Sequence, residues 1–129
     1  MKQWIPFREG EYLVERALLV TPNGAVAPVD RTVIEIYADA SGMRHLKGSG
    51  RVENYRMVML LEDHGSLDLI LDLGEDLIYR LPSPELKAGK VFTPGVRSMM
   101  QFTPTAPWEP MTPGDLETLI ENARNAGAE

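Results

Sequence analysis

The chain is expected to be mainly β, in the α+β class: a six- to seven-stranded antiparallel roll or small barrel with one C-terminal amphipathic helix. Three observations predict this. Leu67 to Leu73 alternates strictly, with four leucines on one face and Asp68 and Asp72 on the other. Short apolar runs are punctuated by turn signals at Pro22-Asn23-Gly24, Asp39-Ala40-Ser41-Gly42 and Gly74-Glu75-Asp76. Finally, Thr112-Pro113-Gly114-Asp115 opens a segment whose apolar residues recur at helical spacing.

Taken in order, Glu11 to Val20 is rich in β-branched and aromatic residues and stops at Thr21-Pro22-Asn23-Gly24. A helix over Glu11 to Leu19 competes, but the Pro-Asn-Gly turn favours a strand entering a hairpin, with Gly24 free to take positive φ, and a return through Val26. Arg31 to Ala38 alternates, with Ile34 and Ile36 on one face. The polar, glycine-bearing stretch Met43 to Asn54 reads as a bulged edge strand. Tyr55 to Leu61 reads as a buried strand whose core side carries Met57, Met59 and Leu61. Asp63-His64-Gly65-Ser66 then supplies a hairpin into Leu67 to Leu73, and Gly74-Glu75-Asp76 leads into Leu77 to Leu81. The result is a three-stranded antiparallel meander from Tyr55 to Leu81.

Seven of the ten prolines fall between Pro82 and Pro113, so residues 82–113 are expected to wrap the surface, with one strand near Val96 to Phe102. Thr112 then caps a helix over 112–127, Pro113 fits its first position, and Asp115 meets its positive end. Leu116, Leu119, Ile120 and Ala123 form the apolar stripe, and Gly127 is a stop. No repeat or linker divides residues 1–129, so one domain is expected.

Composition narrows the function. Nineteen acidic against thirteen basic residues give a formal charge of -6, which disfavours nucleic acid and anionic membrane as partners. No run has the length of a signal peptide or membrane span, so a cytoplasmic protein is the default expectation. The absence of cysteine excludes disulfides, thiol nucleophiles and thiolate metal centres.

Glu62 to Asp76 holds six carboxylates and no lysine or arginine. Asp68 and Asp72 share a face, but four residues of strand span about 13 Å, too far to share a metal or act as an acid/base pair. Acidic residues without that geometry either form a solvated face or steer a basic partner. The candidate partner-binding set is therefore Asp63, Asp68, Asp72, Glu75 and Asp76, with Trp108 of Ala106-Pro107-Trp108-Glu109-Pro110 as an aromatic anchor. Trp4, Phe7 and Phe102 lie near similar turns, and Met57, Met59, Met99, Met100 and Met111 could fill the core or form an adaptable apolar surface.

Met43 to Arg56 is basic by contrast. Within it, Lys47, Ser49 and Arg51 are candidate anion-binding residues, although Lys47-Gly48-Ser49-Gly50-Arg51 lacks the spacing of a phosphate-binding loop. His45 and His64 have no second histidine at metal-ligand spacing and no nucleophile elbow around them. No metal, cofactor or catalytic residue is indicated. The leading expectation is a noncatalytic protein-interaction module, an inhibitor, immunity-like factor or assembly component, that uses an acidic face on another, basic protein. Self-association through an edge strand is a second route to assembly. The alternatives are a small-molecule-binding β barrel and a small hydrolase using a histidine.

Overall fold

A computed structural model describes residues 8–22, 24–88 and 95–127. Among them are nine strands and two helices: β1 (Gly10–Leu13), β2 (Arg16–Val20), β3 (Val26–Ala38), β4 (Arg44–Glu53), α1 (Asn54–His64), β5 (Asp68–Asp72), β6 (Ile78–Leu81), β7 (Glu85–Ala88), β8 (Arg97–Thr103), β9 (Glu109–Met111) and α2 (Pro113–Gly127). The mainly β, antiparallel class and the C-terminal helix agree with the sequence. The strand count and the roll or barrel do not: nine strands, not six or seven, are found among the described residues, and they follow one open path, β7-β8-β4-β3-β2-β5-β6-β9, with β1 also on β3.

The long strand β3 organises the sheet. Its first half pairs with β2 through Val20↔Val26 to Ala17↔Val29, and its second half pairs with β1 through Leu13↔Val33 to Gly10↔Ile36. Glu11 to Val20 is thus one hairpin arm broken at Val14 and Glu15. The turn before β3 is closed by the Ala25 N–H donating to Thr21 Oγ1 at 2.9 Å, with Gly24 at φ 91 as the turn demands; Asn23 lies outside the described residues. Between Asp30 and Val33 the register of β3 against β4 shifts, and Arg31 is left-handed at φ 50. A bulge bends a strand and adds twist. It divides the sheet into one half built on β1, β4, β8 and β7 and another built on β2, β5, β6 and β9.

The main core lies on the inner face of both halves, where Leu19, Leu69, Leu71 and Leu81 meet Ile34, Ile36, Leu46, Met100 and Phe102. Apolar burial of this kind contributes about 25 cal/mol per Å². The β5 half is apolar on its outer face too. Leu18, Val20, Ile70 and Ile78 are covered there by Leu116, Leu119 and Ile120 of α2. As expected, Thr112 caps this helix, its Oγ1 accepting the Asp115 N–H at 3.1 Å. The outer face of the β4 half has no such cover among the described residues.

Three local expectations are corrected. Tyr55 to Leu61 is helix, not strand, so the meander reduces to the β5–β6 pair. The Gly65 N–H donates to Leu61 O at 2.7 Å with Gly65 at φ 78, making Asp63-His64-Gly65-Ser66 a helix end and not a hairpin. Met57 is buried and Leu60 and Leu61 pack on the core, whereas Met59, half-way round the helix, is 44% exposed. The Met43 to Asn54 segment is an inner strand, flanked by β3 and β8, and not an edge. Residues 82–113 contribute three strands instead of one, and they reach inward: Met100, Phe102 and Trp108 are core residues.

Candidate functional site

The hairpin from β5 to β6 turns on Gly74, Glu75 and Asp76, all three left-handed, at φ 87, 53 and 65. Asp72 shapes its start, with Oδ1 accepting the Gly74 N–H at 2.9 Å, and Leu77 N–H closes it on Gly74 O at 3.0 Å. At Gly74 any side chain is strained by the left-handed backbone, and its Cβ would also displace the end of the Glu15 side chain, 2.5 Å away. Two carboxylates are therefore projected from backbone that costs an L residue about 1 kcal/mol each.

An open groove of about 250 Å³ lies between this turn, the start of β2 and the first turns of α2. Glu15, Asp72, Glu75, Asp76 and Glu117 line it, with Arg16 as the lone cation. None of the five carboxylates forms an ion pair among the described residues. Five carboxylates against one guanidinium leave a local formal charge of -4 in a chain whose total is -6. The positive end of the α2 dipole, at Pro113 on the groove wall, offsets part of the repulsion.

The predicted acidic set is thus divided. Asp72, Glu75 and Asp76 come together in the groove. Asp68 does not: Arg80 Nε donates to its Oδ2 at 2.7 Å and the Ser83 N–H to its Oδ1 at 2.9 Å. Ile70, between the two aspartates on β5, lies in the cluster under Leu116, so α2 crosses the face they were expected to share. Asp63 stands exposed on α1 and does not line the groove. Trp108 is 7% exposed, edge-on to Tyr79 with ring centroids 5.3 Å apart, and is a core residue instead of an exposed anchor. Trp4 and Phe7 lie outside the described residues. Glu15 and Glu117 were missed, since nothing local marks two glutamates about a hundred positions apart as neighbours of one turn.

Lys47, Ser49 and Arg51 point outward from β4 on the uncovered face, where Lys47 and Ser49 line an open polar groove of about 590 Å³. Lys47 lies 3.8 Å from Glu35. Their backbone belongs to ladders with β3 and β8, and the intervening glycines face inward, so this stretch is regular sheet and not an amide-lined phosphate loop. Gly48 is needed because the Phe102 ring lies against it.

His45 pairs with Asp39 across the β3–β4 turn at 2.7 Å and stacks on Tyr37. Asp39 is the centre of this arrangement. Its Oδ1 accepts the Ser41 hydroxyl at 2.6 Å and the N–H groups of Ser41 and Met43. The Ser41 hydroxyl, then His45 and the two amides, hold the Asp39 carboxyl well below the usual carboxylate range. A carboxyl so depressed contributes stability above its unfolded-state range, and this is lost as pH falls through the folded value. Asp39→Ala should therefore lower the urea midpoint at neutral pH, and the gap from wild type should close as pH falls below the usual carboxylate range. A gap that persisted undiminished below that range would refute this account. The side chain of His64 lies outside the described residues.

Fold and groove together define an open antiparallel β protein with a carboxylate-lined groove among its described residues. No protein-family model, curated protein or solved structure matches the chain.

Proposed function

We propose that this protein is a noncatalytic interaction module, an inhibitory or assembly component, whose acidic groove receives a basic polypeptide. The observation that carries this reading is the concentration of Glu15, Asp72, Glu75, Asp76 and Glu117 around Arg16 alone. Carboxylates paired within the fold, such as Asp68, are neutralised locally, whereas unpaired ones sum to a field that steers and orients a cationic partner. The left-handed turn adds to the case, because backbone strain persists where the surrounding structure holds it.

The test uses Glu75→Asn together with Asp76→Asn, since asparagine tolerates left-handed backbone and the pair removes two charges at the cost of one methylene at position 75. Binding of an arginine-rich peptide is measured by fluorescence anisotropy at low and moderate salt. Two exposed charges contribute up to about 1 kcal/mol, so affinity should fall about fivefold and its salt dependence should flatten. Asp63→Asn should change neither. Equal affinity in wild type and the double variant would remove the groove as the binding surface.

A further inference from the structure

Three strands end the sheet or stand beside a gap in it, and they differ in how they are protected. Edge strands expose unpaired backbone groups and are commonly blunted by proline, lysine or short length. β9 has three residues with Pro110 at its centre. β7 follows Pro82 and Pro84 and carries Glu85 and Lys87, 3.7 Å apart. β1 has neither proline nor lysine, and its Leu13 is 79% exposed.

The free side of β1 is defined by its neighbours. β1 and β2 both lie on the side of β3 away from β4, and the far side of β2 is taken by β5. At the break between them the Val14 N–H donates to Thr32 O of β3 at 2.9 Å, whereas the Glu15 N–H points the other way, to Asp72 O of β5 at 2.8 Å. Hydrogen-bonding direction alternates along an antiparallel strand. Tyr12 therefore faces β3, and the N–H and C=O groups of Glu11 and Leu13 face the side on which β5 has ended. Among the described residues no strand pairs with that side.

The surroundings are acidic. Glu11 lies on the strand with Glu9 and Glu15 on either side of it, Glu35 stands opposite Glu11 on β3, and the groove with Glu75 and Asp76 opens at the strand's end; the cations are Arg8 and Arg16, nearby in sequence, and Lys47, which lines the same groove as Glu11. A second copy of β1 would bring the glutamates of both chains onto one ribbon, which like-charge pairing disfavours.

We infer that the free edge of β1 accepts an extended basic segment of a partner protein as an added antiparallel strand, with the pattern basic, any, apolar, any, basic. An apolar side chain covers Leu13, one basic residue stands opposite Glu11, and the other reaches Glu15 and the acidic groove. Main-chain hydrogen bonds hold such a strand, and alternate side chains give it specificity. The inference rests on the acidic-groove reading and adds to it a binding mode and a sequence pattern.

The probe is a peptide centred on Arg-Thr-Val-Thr-Arg, made unmodified, N-methylated at Val, N-methylated at one Thr, and with Glu in place of both Arg. Amide exchange of the whole protein is followed by NMR. The unmodified peptide should slow exchange at Glu11 and Leu13 and leave Tyr12 unchanged. Methylation at Val, whose N–H would face Leu13, should weaken binding at least about tenfold, while methylation at Thr should have little effect. If the Val-methylated peptide binds as well as the unmodified one, strand addition is overturned and the electrostatic reading stands. If the Glu peptide binds equally well, or no peptide binds, both fall. Slowed exchange at Glu11 and Leu13 on concentrating the protein without peptide would overturn the basic partner in favour of a second copy.

Discussion

Gly48→Ala is expected to destabilise the protein by about 3 kcal/mol, at the upper end of the range for overpacked cores. A Cβ at this position would stand 2.2 Å from Phe102 Cζ and within 2.8 Å of both Cε atoms. The ring cannot yield readily, because Phe102 is fully buried and Gly48↔Phe102 is a register pair inside the sheet. Urea denaturation measures the loss directly. The cause is separated by adding Phe102→Leu, which costs stability alone by creating a void but makes room for the new methyl. The double variant should be more stable than the sum of the two single effects predicts, a coupling expected of residues in direct contact. Simple additivity would mean that the glycine is required for some reason other than the ring.

The second large effect separates the two outer faces of the sheet. Leu116→Asp should cost about 3 kcal/mol or more, since it removes a buried leucine and leaves a carboxylate facing Ile70 and Ile78. Leu13→Asp should fall within about 0.5 kcal/mol of wild type, as exposed substitutions do, because Leu13 stands on the uncovered face. Comparable losses at the two positions would mean that the β4 half is covered as the β5 half is. The same Leu13→Asp protein should lose the peptide binding inferred for β1, which separates a binding role for Leu13 from a structural one.

The legible elements were those whose signal is local. β5 was visible because period two requires the pattern Leu67, Leu69, Leu71 and Leu73. α2 was visible because a cap, a proline and an acidic first turn all concern groups within one helical turn. The misread elements share a different property. In Tyr55 to Leu61 the run Met57-Val58-Met59-Leu60-Leu61 is apolar throughout, so period two and period 3.6 both fit it. The spacing of Met57, Leu60 and Leu61, with Gly65 after them, was the signal that could have decided for helix. In β4, Gly48 and Gly50 resemble strand breakers until the partners filling their space are known: Phe102 for Gly48, Val29 and Thr32 for Gly50. Trp108, between two prolines, had no local mark of burial.

The candidate site divides in the same way. Its richest part, Asp72 to Asp76, is contiguous and was singled out from charge alone. What charge density could not distinguish was a neutralised carboxylate from a free one, because Arg80, opposite Ile70 in the β5–β6 ladder, reaches Asp68 diagonally. Nor could it place Glu15 and Glu117 beside the turn. The sequence by itself determined the secondary-structure class, three of the four expected hairpin turns, the capped last helix and the sign of the dominant charge, since each depends on residues within a few positions. Only the tertiary structure decided that the sheet stays open, that α2 covers the outer face of one half while no described residue covers that of the other, and which of the described carboxylates remain unpaired. Those properties depend on contacts between residues far apart in the chain, whose energies are set by packing and register and leave no periodic trace in either partner's segment.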